Sequence, residues 1–349
     1  MSGGVWRIIY SVLGAFFLTL APVAAQEPLA PFAPVSPISR RIDYDRAKAL
    51  LGKRLFFEPL LSKNKDLSCA ACHIPEAGGA GPRSPSGGGG GQRPPVDIPS
   101  VYNVGLNAYW LWSGRAETLR QAVAAMFANT WAMAMSPHEV EGRLAAVPAY
   151  RRSFRKAYGK DRVDYEGVLE ALVEFLRSLV TPDSRFDRFL RGEGGLSPVE
   201  TRGYHLFKEL GCVSCHNGAN LGGNSLQSNA LLTAVLQDRR DGPDGGAERD
   251  FPASRHDLLR VPSLRNAALT APYFHDGAVA SLDAAIAKVA RQNLGIALPP
   301  AERRALAAFI RALTGRLPDL LAVAADDSAE TVLRTAHTIP SAAVLEARP

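Results

Sequence analysis

All four cysteines of this 349-residue chain lie in two copies of one pattern, Cys69-Ala-Ala-Cys72-His73 and Cys212-Val-Ser-Cys215-His216. A disulfide or a thioredoxin-like dithiol has no need of the trailing histidine, and zinc wants four ligands close together in space. Covalent haem attachment needs all three residues. Two thiols add to the vinyl groups along one porphyrin edge, and the adjacent histidine reaches beneath the ring to ligate iron. The patterns therefore predict two haem c groups, attached at Cys69, Cys72, Cys212 and Cys215, with His73 and His216 as iron ligands.

The elements that must position these motifs read as mainly α. Helical periodicity marks "YDRAKALLGKRLFF" ahead of the first motif, then "AETLRQAVAAMFA", "EVEGRLAAV", "YRRSFRKAY" and "DYEGVLEALVEFLRSLV". Ser197-Pro198-Val199-Glu200 combines a cap serine, proline at the first helical position and glutamate three residues after the cap. That helix should run to about Leu210, with Gly211 ending it before Cys212. Two more helices are expected, one from near Ser281 and one over "PAERRALAAFIRALTG". Strand signals are scarce. Residues 74–99 are rich in Gly and Pro, with five consecutive glycines at 87–91, and contain no histidine; such a segment reads as a loop. The expected architecture is two cytochrome c-like haem domains packed against each other, 43–192 and 193–318. A Pro-rich arm, 26–42, should precede them and a polar tail, 319–349, follow.

Arg7, the apolar run "IIYSVLGAFFLTLAPVA" and the small residues Val23-Ala24-Ala25 form an export signal, 1–25. This places the mature chain in an oxidising compartment, read as the bacterial periplasm, with no membrane span after cleavage. The net charge of +6 comes without a concentrated Lys/Arg stripe, so nucleic acid is not an expected partner.

Beyond the haem motifs, "LGKRLFFEPLLSKNKDLSCAACH", "YWLWSGRAETL", "MAMSPHEVEGRLAAVPAYRRSF" and "VPSLRNAALTAPYFHDGAVASLDAAI" together resemble the bacterial di-haem cytochrome c peroxidases and their relative MauG, which oxidises tryptophans in a partner protein. The likeness runs from about 45 to 316. It implies an N-terminal haem with an open face for hydrogen peroxide and a C-terminal haem that passes electrons to it. It also implies a tryptophan between them, matched by Trp112 before "SGRA". An interdomain calcium is implied too, matched by Asp97, where the family has asparagine, and by the carbonyls of Thr270 and Pro272; a carboxylate suits this hard cation. Arg265 of "LRN" is expected to pair with a haem propionate, and His275 to be a structural histidine.

Four departures stand out. Peroxide cleavage needs a base and a group to stabilise the leaving oxygen. The family's distal glutamate and glutamine align with Ala132 and Ala122, leaving Gln121 one residue off. Glu117, Asp97 and Arg93 are other candidates. The family's loop histidine falls near Gly89, a loss with a precedent in MauG. The sixth ligand of the second haem aligns with Val289, which has no lone pair; Lys288, His256 and His205 lie elsewhere in the chain. Three functions follow. One is peroxide reduction with electrons from a small cytochrome c or cupredoxin, the second is peroxide-dependent oxidation of a partner protein, and the third is a degenerate electron carrier or sensor. A homodimer is compatible with each.

Overall fold

The computed structural model describes residues 34–81, 96–228 and 258–322. The signal segment, most of the glycine loop with Gly89 and Arg93, the loop over 237–250, His256 and residues 323–349 lie outside the described residues.

The chain forms helices where its periodicity and caps demand them. Asp45 accepts hydrogen bonds from the amides of Ala47 and Lys48 and opens α1 (Arg46–Phe56). The first haem motif is itself a single turn, α2 (Cys69–Cys72). Thr118 and Gln121 close a capping box at the start of α3 (Leu119–Ala128), three residues later than the periodicity alone suggested. Then follow α4 (Pro137–Ala145), α5 (Pro148–Tyr158), α6 (Tyr165–Ser178) and α7 (Arg185–Leu190). The expected box at Ser197 and Glu200 opens α8 (Pro198–Glu209), and Gly211 stands in the left-handed region at φ 78°. Further on lie α9 (Leu282–Leu294), α10 (Pro300–Ala312) and α11 (Asp319–Ala322). The described strands are β1 (Leu226–Ser228) and β2 (Leu258–Arg260), an antiparallel pair with Leu226 opposite Arg260.

Two hydrophobic cores form, each around one helix crossing. In the first, α1 crosses α6 so closely that a Cβ on Gly52 would sit 1.9 Å from the Ala171 carbonyl oxygen and 2.8 Å from Phe175 Cβ. In the second, α8 crosses α10, and a Cβ on Gly203 would meet the Ala305 carbonyl oxygen at 2.0 Å and Phe309 Cβ at 2.8 Å. Glycine is what lets each backbone pair approach. Phe56, Leu172 and Phe175 fill the first core; Phe186, Phe207 and Phe309 fill the second. The chain ends described here cross over. Val35, from the N-terminal arm, packs in the second core, and Leu320, beyond the last long helix, packs in the first. Lys53 Nζ donates to the carbonyls of Leu320 and Leu321, placing a cation at the C-terminal end of α11.

The segments that follow each haem motif repeat. Ile-Pro-Ser-Val-Tyr-Asn-Val-Gly-Leu at 98–106 returns as Val-Pro-Ser-Leu-Arg-Asn-Ala-Ala-Leu at 261–269, an offset of 163 residues. The structure keeps that offset. Asn103 and Asn266 both take left-handed φ, 59° and 61°, before a 3-10 turn. The isolated bridge Trp110–Ala116 matches Tyr273–Val279. Thr118 caps α3 as Ser281 caps α9. At the junction, Asn103 and Asn266 each donate a side-chain hydrogen bond of 2.8 Å to Thr181 Oγ1.

Candidate haem sites and the bridge between them

Each motif histidine is aimed by a backbone carbonyl. His73 Nδ1 lies 3.1 Å from the Pro99 carbonyl oxygen and 3.3 Å from that of Gly79. A carbonyl only accepts, so Nδ1 carries the proton and the Nε2 lone pair is left for a metal. Burial pulls the His73 pKa down to about 4, against the two carbonyl bonds. The imidazole is thus neutral, as iron ligation requires. His216 is treated alike: Nδ1 faces the Leu221 carbonyl oxygen at 3.2 Å, the Pro262 carbonyl also bonds the ring, and burial lowers its pKa.

The cysteines fit a thioether better than a dithiol. None is in a disulfide. Burial, with Cys72 beside it, pushes the Cys69 thiol up to about 12, and burial raises Cys212 as well. A redox-active C-x-x-C pair needs a depressed thiol pKa. No group of three or more His, Cys, Asp or Glu side chains that could hold a metal ion occurs among the described residues. The donor set therefore fits haem: two thiols and one neutral, oriented imidazole at each motif.

This combination agrees with the family comparison. A model of the di-haem cytochrome c peroxidases matches residues 46–195. The cytochrome c551 peroxidase of Nitrosomonas europaea is 37% identical over 309 residues, covering 88% of this chain and 90% of that one. The chain is a di-haem cytochrome c peroxidase family member. The methylamine utilization protein MauG of Methylorubrum extorquens is 32% identical over 282 residues, covering 76% and 78% of the two chains. Among solved structures, a MauG-like protein associated with microbial copper homeostasis superposes with a TM-score of 0.68 at 26% identity, over 83% of this chain and 95% of that one. The mainly α fold, the two haem c groups and an oxidoreductase of the peroxidase type follow from this membership.

In this di-haem peroxidase, Trp112 lies where the two histidine loops meet. Its indole Nε1 donates to the Asp97 carbonyl at 2.8 Å, two residues from Pro99 and hence from His73. Its own carbonyl accepts from the Arg260 amide at 2.8 Å, two residues from Pro262 and hence from His216. The repeat makes this reciprocal. Asp97 and Arg260 are equivalent positions, as are Trp112 and His275, and the Asp97 amide donates to the His275 carbonyl at 2.7 Å. The Trp112 and His275 rings meet edge to face, 6.5 Å between centroids. Asp97 is 7% exposed and sits against the loop of Pro272: a Cβ on Gly277 would lie 3.2 Å from Pro272 Cγ and 3.4 Å from Asp97 Oδ1. Thr270 lies two residues earlier, its hydroxyl bonded to the Ala267 carbonyl.

Two residues differ from expectation. The Gln121 carboxamide oxygen accepts the amides of Glu117 and Thr118, so this exposed side chain closes the end of α3 instead of serving a haem face. Arg265 pairs with a protein carboxylate. It meets Asp187 at 2.8 Å, both side chains fully buried, and also donates to Ser184 Oγ and to the carbonyls of Ala219 and Ser36. A buried guanidinium requires such a partner, and Asp187 of the short helix α7, which periodicity missed, supplies it. Glu117 and His205 are exposed; Lys288 lies over the Phe274 ring at 4.5 Å. Ala132 packs against the first core, and Val289 is half-buried on α9. Met133 and Met135 are buried in the first core. Arg260 was not anticipated, although its place before the repeated Pro-Ser signals it.

Proposed function

We propose that the enzyme reduces hydrogen peroxide: His73 would hold the haem that supplies the peroxide chemistry, His216 would hold the haem that supplies electrons, and Trp112 lies between the two loops. The observation that supports this most is the continuous path of contacts from the Pro262 loop through Arg260 and Trp112 to Asp97 and the Pro99 loop. Haem iron supplies the redox chemistry. The chain's own residues do the rest. His73 and His216 present neutral imidazoles whose carbonyl bonds fix their tautomer and raise their donor strength, and Trp112 places a polarisable ring between the two loops. Asp97, with the Thr270 and Pro272 carbonyls, offers hard oxygen ligands for a calcium ion that would tie the loops together. Export through the segment 1–25 would deliver the chain to the periplasm, where a small cytochrome c or cupredoxin serves as donor. The described residues include no helix long and apolar enough to cross a membrane.

The test is rapid mixing of the reduced two-haem protein with peroxide, comparing wild type with Trp112→Phe. Reoxidation of the second haem should follow that of the first and slow in the variant. Equal rates in both proteins would remove Trp112 from the path. A second reading is oxidation of a partner protein. Ala at position 132 and Gln121 spent on a helix cap leave the peroxide site short of acid–base groups, which suits a slower, protein-directed oxidant. Covalent change in a co-purified partner after peroxide addition would favour it.

A further inference from the structure

The guanidinium of Arg260 is not explained by the path alone. Arg260 is 7% exposed, and burial pulls its pKa down to about 10. Among the described residues, its one side-chain hydrogen bond runs from Nε to the Leu111 carbonyl at 3.1 Å, and its guanidinium carbon stands 5.7 Å from the centre of the Trp112 ring. No carboxylate among the described residues pairs with it, whereas the other deeply buried arginine, Arg265, has Asp187. A buried cation with no counter-charge is strongly destabilising. A buried guanidinium with one neutral acceptor is a set of donors suited to an anion.

We infer that Arg260 holds a propionate carboxylate of the haem ligated by His216, and acts as a positioning residue that sets that haem's reduction potential. The haem assignment follows from the loop: Pro262, two residues on, bonds the His216 ring. The repeat adds a second argument. Arg260 occupies the position that Asp97 holds in the first half, so the two halves offer opposite charges at equivalent points beside one tryptophan. A paired propionate contributes less negative charge to its iron, which stabilises the reduced state and raises the potential.

The experiment is a spectroelectrochemical titration of the full two-haem chain for wild type, Arg260→Gln and Arg260→Lys, each at low and high chloride. The expected result is a lower midpoint potential for the His216 haem in Arg260→Gln, recovery of most of the shift in Arg260→Lys, and no chloride dependence in wild type. Potentials unchanged in Arg260→Gln, or lowered equally in both variants, would overturn the assignment. A wild-type potential that depends on chloride, with the dependence lost in Arg260→Gln, would assign the charge to a free anion and overturn it too. The inference rests on the two-haem reading, and intact mass separates the two: fewer than two haems removes both, while two haems indifferent to Arg260 removes only this one.

Discussion

The two haem-binding halves are built alike where they hold a cofactor and differ where chemistry would occur. Each crosses two helices over one glycine, bonds its histidine to the carbonyl of a Pro-Ser loop, and turns through a left-handed asparagine into the next capped helix. The same physical demands, a fixed ring and a close helix pair, have the same solution twice. The differences are side chains on that common frame: Asp97 against Arg260, and Trp112 against His275. Retained scaffold with altered side chains means that binding of haem and its reactivity are separable in this protein.

The comparison breaks most visibly at Ala132. If the first half lacks only its acid–base group, Ala132→Glu should raise peroxide turnover on the order of 10²-fold or more, the usual contribution of such a group. Steady-state turnover at equal haem content measures it, and an unchanged rate would show that another residue already does this work.

The next test asks whether the two crossings are equivalent. Gly52→Ala and Gly203→Ala each force a Cβ to within about van der Waals overlap of a backbone oxygen, so each should cost about 3 kcal/mol, at the upper end of overpacking penalties. Thermal unfolding of the two variants should show similar losses. A large loss for one and none for the other would mean that only one crossing is as tight as the structure shows.

Thr181 is shared by the halves. Thr181→Val leaves the carboxamide nitrogens of Asn103 and Asn266 short of their acceptor, and should cost about 2 kcal/mol. A double cycle with Asn103→Ala should show non-additivity, since the asparagines share one oxygen. Strict additivity would count against the shared bond.

The smallest effect on stability is expected from Val289→Met, about 1 kcal/mol, the low end of overpacking penalties, because the position is only half-buried. Its signature is spectroscopic. If α9 presents position 289 to the second haem, the variant should gain the near-infrared band of methionine-ligated ferric haem and a higher potential. No band would show that this face of the helix is turned elsewhere.

Much of the molecule was legible in the chain itself because its signals are local. The C-x-x-C-H spacing states haem attachment within five residues. The box at Ser197/Glu200 is a short-range hydrogen-bond pattern, and the apolar periodicity of 164–180 follows from 3.6 residues per turn. Helix α7 was not legible, because six residues carry too little periodicity to stand out.

What only the tertiary structure decided concerns partners far apart in sequence. Gln121 looks like a displaced catalytic residue until its carboxamide is seen closing its own helix end. Asp187 as the partner of Arg265 emerges only from the fold, since a buried guanidinium takes a carboxylate that the fold brings within reach. Arg260 becomes conspicuous only when the fold buries it against Trp112 with no carboxylate near it among the described residues. Residue type and spacing determined that this chain carries haem; burial and long-range pairing decided which of its charged groups are already satisfied and which are left for the cofactor.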